Sequence, residues 1–153
     1  MNPLPKIVPA GEGQEYEVIG GDLITIKLTG EETAAAFTLL HTIVPPLAGP
    51  PRHVHRRESE TFHVLQGRFE FEIDGERKTV GPGDVVFAPR NIPHQFRNLE
   101  SEPGQVMIIC EPSGFENFVE EFSRLSPTEI PDLQEMAEIG ARYGIEFVPP
   151  SLE

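Results

Sequence analysis

Along most of this chain the apolar positions recur at every second residue. Leu23 to Leu28 alternates apolar with polar, Phe37 to Val44 is a second run that stops at Pro45-Pro46, and Glu60 to Leu65 is a third. Arg68 to Ile73 alternates most cleanly, with Phe69, Phe71 and Ile73 on one face and Arg68, Glu70 and Glu72 on the other. Successive side chains of an extended strand point to opposite faces, so each run reads as a strand with one buried side. Asp74-Gly75 then supplies a hairpin signal, because tight two-residue turns need positive φ at their centre. Val85 to Ala88, Gln95 to Arg97 and Val106 to Cys110 add further short strands. Evenly spaced short strands with turns between them predict an all-β barrel or sandwich over residues 16–112.

Beyond that point the period changes. Phe115, Phe118, Val119, Phe122 and Leu125 share one helical face, and Ser113 with Glu116 has capping-box spacing. Asp132 to Tyr143 reads as a second helix, with Asp132 and Glu135 in box-like spacing and Gly144 as its stop. The stretch from Ser126-Pro127 to Pro131 separates the two helices. Residues 113–153 are therefore expected to be a short helical appendage and tail, and residues 1–15, rich in Pro and Gly, an N-terminal arm. The whole, residues 1–153, is expected to be a single domain, long enough to bury a proper core.

Charge and cysteine content remove several function classes. The formal net charge is −13, which repels phosphate backbones and anionic lipid, so neither nucleic acid nor a membrane surface is an expected partner. Cys110 is the only cysteine, which excludes a disulfide within the chain and a cysteine-rich zinc site. Met1 to Ala10 carries one lysine, three prolines and no long apolar core, and does not read as a signal peptide. With no long apolar window either, a cytoplasmic, reducing setting is the expectation.

Chemistry concentrates in two blocks. His53 and His55 are two apart and point the same way on an extended segment; Glu60 has the opposite parity. Arg56 to Ser59 must therefore bend the chain and deliver Glu60 on the next strand, with Phe62 and Val64 on its face and Thr61 and His63 on the other. His94 arrives from a separate strand after Ile92-Pro93, with Phe96 following on its side. A lone histidine is most often a core or surface residue. Three imidazoles and a carboxylate spaced to converge suit one divalent transition metal (Fe, Mn, Co, Ni, Cu or Zn) over Ca or Mg. Four protein ligands leave positions for water, dioxygen or substrate.

These residues carry a family resemblance. Gly49 to Gly67, GPPRHVHRRESETFHVLQG, is similar to the first cupin block from His53 onward, with a shorter gap than usual after Gly49. Gly83 to Asn98, GDVVFAPRNIPHQFRN, is similar to the second block, with Asn91 in place of a glycine. Asn is the non-Gly residue best suited to positive φ, so the departure is mild. The chain thus resembles the cupins over about Leu23 to Glu111, within the small single-domain group similar to quercetin 2,3-dioxygenase. The resemblance implies a double-stranded β-helix, or jelly-roll, barrel, usually a homodimer. It implies His53, His55, Glu60 and His94 as metal ligands, with Fe(II) the favoured ion. It also implies Glu60 as acceptor of a substrate hydroxyl proton, dioxygen as co-substrate, and a small hydroxylated or enolisable organic substrate.

Around this cluster, Phe62, Phe69, Phe71, Phe96 and Met107 are candidates to line a pocket for an organic substrate, although such residues more often serve as core. His41 precedes the first block, and its facing is open between pocket and sheet surface. His63 opposes Glu60 in parity and reads as outward or packed, and Cys110 as a buried hydrophobe. Arg52, Arg56, Arg57 and Glu58 read as a solvated rim. Three functional readings stay open: a metal-dependent dioxygenase, a non-redox isomerase, epimerase or lyase, and a metal-dependent binding protein without turnover. The apolar strands favour the first, since they would shield a reactive intermediate from water.

Overall fold

The computed structural model describes residues 2–149. The strands are β1 (Gln14–Glu17), β2 (Leu23–Leu28), β3 (Thr38–Val44), β4 (His53–His55), β5 (Ser59–Gln66), β6 (Phe69–Ile73), β7 (Glu76–Val80), β8 (Val85–Ala88), β9 (His94–Asn98), β10 (Gly104–Glu111) and β11 (Ile145–Phe147). The helices are α1 (Phe115–Phe122) and α2 (Leu133–Arg142). Two antiparallel sheets form, one in the order β1-β2-β3-β10-β5-β8 and the other β11-β4-β9-β6-β7. Their inner faces enclose the core, which makes an all-β barrel of jelly-roll type with C-terminal helices.

The period-two pattern decides what faces inward. Thr38, Leu40, Thr42 and Val44 of β3 are buried and alternate with half-buried neighbours. Register carries the same face across the sheet: Leu40 lies opposite Ile108, and Ile108 opposite Phe62. One row along, Thr38 lies opposite Cys110, and Cys110 opposite Glu60. A carboxylate therefore stands in a row of otherwise inward, largely apolar positions. From the second sheet Phe71 pairs with Phe96, and both rings meet Phe62 at centroid distances of 5.1 Å and 5.8 Å. Edge-to-face packing at such distances adds about 0.5–1.5 kcal/mol per pair beyond area burial.

Turns follow the expected chemistry. Asp74 and Gly75 both take positive φ, 51° and 84°, and join β6 to β7 in the hairpin the sequence predicts. Asn91 sits at φ 70°, the conformation the usual glycine would supply. Asn98 is fully buried; its amide donates to the carbonyls of Val44, Pro45 and Glu102, and its side-chain oxygen accepts from the Glu100 N–H.

Several expectations need correction. Ser113 does not cap α1: the N-cap is Gly114, and the Ser113 N–H donates to the Ala35 carbonyl instead. Glu116 takes over, accepting from the Gly114 N–H and Thr38 hydroxyl with one oxygen and from the Gly30 N–H with the other, so it also ties the helix to the barrel. Asp132 does cap α2, accepting from the N–H groups of Gln134 and Glu135, and Gly144 ends the turn after it at φ 70°. The tail is not purely helical, because β11 follows α2 and pairs with β4. Likewise β1 begins inside the expected arm. Residues 150–153 of the expected tail lie outside the described residues.

Removing the Asn98 amide would orphan buried backbone carbonyls at about 1–3 kcal/mol each. Asn98→Ala is expected to lower unfolding stability by roughly 3 kcal/mol in denaturant titrations with an unchanged m-value.

Candidate metal centre

His53 and His55 lie on β4, Glu60 on β5 and His94 on β9, so both sheets contribute. The chain bends between β4 and β5, as the opposite parity of Glu60 requires. His94 lies directly across from His53 in the β4–β9 pair. One potential ligand atom from each of the four residues falls within 4.8 Å of all the others. The ring centroids lie 4.9 Å (His53–His55), 4.5 Å (His53–His94) and 5.6 Å (His55–His94) apart.

The ring orientations are set from outside the cluster. His53 Nδ1 donates to the Pro51 carbonyl at 2.7 Å, and His94 Nδ1 donates to the Ile92 carbonyl at 3.1 Å. His55 Nδ1 donates to the Glu58 carboxylate at 2.5 Å. All three anchors are acceptors, so all three Nε2 atoms are left to face inward. His94 Nε2 lies 2.7 Å and His55 Nε2 3.3 Å from the same Glu60 oxygen. His55 Nε2 is buried and makes no hydrogen bond. An unpartnered inward nitrogen beside two others and a carboxylate fits a divalent transition metal in donor type and number, and outer hydrogen bonds that fix ligand rings are usual at such centres.

Burial and mutual charge dominate the electrostatics. Burial pushes the His53 pKa down to about 3, and the neighbouring charges of His94 and His55 push the same way, so this ring is a neutral donor at physiological pH. For His55, burial opposes protonation, but the charge of Glu60 and the hydrogen bond that the ring donates to Glu58 outweigh it and raise the pKa. For Glu60, burial acts to raise the pKa, yet the charge of His55 and the hydrogen bond from His94 hold it well below the usual carboxylate range. Burial, and then Glu60 itself, push the Cys110 thiol well up, so it stays protonated against Glu60 at 3.6 Å.

The cluster opens on a cavity of about 90 Å³. Of the candidate pocket residues, Phe62 and Phe96 line it. Phe71, Met107 and His41 do not: Phe71 packs behind them against both rings, while His41 and Met107 face each other across β3 and β10 at positions alternating with the inward ones. The His41 ring instead meets the Gln105 side chain at 3.0 Å. Phe69 is core, and His63 is exposed. Glu58 is not a rim residue; it is 3 % exposed and holds His55. Its signal was available, since Glu58 shares parity with Glu60. Sequence reasoning also missed Phe115, whose ring lies 5.2 Å from His55 at a tilt of 55°, and Asp22 and Thr42, which line the same cavity from the approach to β2 and from β3.

Comparison with known proteins places this geometry. The cupin domain family matches residues 40–110. Quercetin 2,3-dioxygenase of Bacillus subtilis (strain 168) is 31% identical over 94 residues, which is 61% of this chain but 28% of that relative. Polyketide synthase CurC of Streptomyces cyaneus is 26% identical over 108 residues, 71% of this chain and 70% of that one. Among solved structures, KdgF from Halomonas sp. superimposes with a TM-score of 0.67 at 23% identity, covering 74% of this chain and 99% of its own. That likeness is one of fold. Among the described residues no helix is long and apolar enough to cross a membrane.

Three outcomes are expected. His55→Ala should lose most bound metal by elemental analysis while keeping its far-UV spectrum, because the barrel core does not depend on that ring. Glu58→Ala should weaken metal binding about 10- to 100-fold in competition with a chelator, through loss of ring orientation. Burial alone raises Asp22 from 3.8 to about 7, so the unfolded chain releases this proton at lower pH than the folded one. The stabilising contribution is therefore whole below pH 3.8 and lost as pH rises toward 7. A tenfold difference in proton affinity between the folded and unfolded chains is worth about 1.4 kcal/mol. Asp22→Asn should accordingly gain stability over wild type by a few kcal/mol at pH 8 and little at pH 4, read from denaturant titrations at the two pH values.

Proposed function

We propose that this chain, whose residues 40–110 match the cupin domain family, is a metal-dependent, dioxygenase-like cupin acting on a small hydroxylated or enolisable organic substrate. The observation that carries this reading is the convergence of three imidazoles and Glu60 beside a cavity that His53, His55 and Glu60 line and whose waist is apolar. His53, His55, Glu60 and His94 would hold one divalent transition metal, Fe(II) first among the choices and Ni, Mn, Co, Cu or Zn after it. Such an ion supplies Lewis acidity that lowers the pKa of a substrate hydroxyl, and in its redox-active forms a route to dioxygen chemistry.

The rest is work for the chain's own groups. Glu60 is ionised at neutral pH and lies among the rings, so its carboxylate is the base available to a substrate hydroxyl. Cys110 keeps its proton and directs its S–H at Glu60, which makes it a partner of the base and not a nucleophile. Phe62, Phe96 and Phe115, with Ile108, exclude water from the space beyond the rings. The Bacillus relative's name describes a dioxygenase, in agreement with this assignment.

A second reading has its own support. The Streptomyces relative, a polyketide synthase by name, matches this chain over most of both lengths. Enolisation followed by a lyase or isomerase step needs the same carboxylate and the same hydroxyl-binding centre, without oxygen.

To separate the two, the apo-protein is loaded in turn with Fe(II), Ni, Mn or Co, and oxygen uptake is followed with flavonols, catechols and β-diketones. Uptake with at least one pairing is expected, reduced by two orders of magnitude or more in Glu60→Gln, on the usual scale of general-base loss. Absence of uptake with every pairing, in protein shown to hold metal, overturns the oxygenase assignment; product formed without oxygen moves it to the second reading.

A further inference from the structure

Three buried side-chain atoms lack any hydrogen-bond partner among the described residues: His55 Nε2, Asp22 Oδ1 and Thr42 Oγ1. All three residues line one cavity. The first belongs to the ligand cluster. The other two stand apart from it, and nothing in the chemistry above uses them. Asp22 is 7 % exposed and Thr42 2 %. No side chain among the described residues forms an ion pair or a hydrogen bond with the Asp22 carboxyl. A buried polar group left unmet costs about 1–3 kcal/mol, so two of them together mark a place that a ligand completes.

Register locates the pair. Thr42 lies opposite Ile24, and Asp22, two residues before Ile24, shares that face. Thr38 stands in the row of Cys110 and Glu60, and Thr42 is four residues further along β3, roughly 13 Å at the rise of an extended strand. Between the two ends the wall is apolar, formed by Ile24, Leu40, Phe62 and Ile108. The cavity thus has a chelating end, an apolar waist and a second polar end.

The chemistry of that second end is neutral. A carboxyl whose pKa lies at about 7 carries its proton through the weakly acidic range, and like a hydroxyl it then both donates and accepts. Neither group offers a fixed charge to an ionic ligand. Resting on the functional reading above, we propose that Asp22 and Thr42 recognise an uncharged hydroxyl or carbonyl at the far end of the substrate. The substrate class is then an elongated, flat, mainly apolar molecule with paired oxygens at one end and a single polar group at the other, a span that two linked aromatic rings bridge.

The test uses Co(II)-loaded protein under nitrogen, with 4-phenylcatechol and 4-(4-hydroxyphenyl)catechol as probes. Affinity is measured by calorimetry, and binding at the metal by the visible Co(II) spectrum. Both probes are expected to perturb the spectrum, and the extra hydroxyl to tighten binding about tenfold in wild type, the size of one well-made hydrogen bond. That gain should vanish in Thr42→Val and in Asp22→Leu and persist in Asp22→Asn, which keeps a donor and an acceptor. Thr42→Val is close to threonine in shape and carries the test if Asp22→Leu does not fold. Equal affinity of the two probes for wild type, or a gain that survives Thr42→Val, overturns the recognition pair while leaving the metal-centred reading in place. Failure of both probes to bind overturns that reading and the recognition pair with it.

Discussion

One buried carboxylate organises this molecule. Glu60 occupies a strand position whose row-mates are Thr38 and Cys110, in a barrel packed with phenylalanine and aliphatic side chains. An ionised group there is costly unless it is matched. His55 and His94 supply the match, and each of the three rings in the cluster is held by a separate acceptor outside it. The arrangement is stable as a set and unstable in parts. Removing one ring leaves the carboxylate underpaired, and removing the carboxylate leaves several rings competing for protons.

The barrel makes this cluster by bringing together segments that have no reason to meet locally. The β4–β9 pair sets His53 against His94, and the bend after β4 swings Glu60 in from the facing sheet. Closure depends on the tail. Ile145 of β11 lies opposite His55 and covers the free edge of β4, while α1 lays Phe115 against the same ring. Glu116 fastens that helix to β3 and to the loop before it, so the cavity roof is bonded to the wall it covers. The C-terminal segment is accordingly a part of the site.

The cavity's polarity is uneven in a useful way. Its waist is hydrocarbon, which favours an apolar ligand and keeps water from the base. Its two ends are polar but different in kind: at one, donor nitrogens and an anion converge; at the other, a neutral carboxyl and a hydroxyl stand unpartnered. A ligand bound across both ends is fixed in direction as well as in place, which is what selective chemistry on one of several similar oxygens requires.

Periodicity and turn residues were enough to read the strands β2, β3, β5, β6, β8, β9 and β10, both helices and the Asp74-Gly75 hairpin, because strand parity and turn dihedrals are local properties. The spacing of His53, His55, Glu60 and His94, with the parity break between them, was enough to nominate the cluster. Short or polar strands escaped: Glu76–Val80 has no apolar alternation, and Ile145–Phe147 exists only because β4 offers it an edge. Glu58 looked like one more surface charge until the bend folded it under His55. His41 and Met107 fell on the outer face, and Asp22 and Thr42 on the inner one, for a single reason. Parity within a strand is written in the sequence, but which parity is inside is decided by long-range register between strands, and only the assembled sheets set that register.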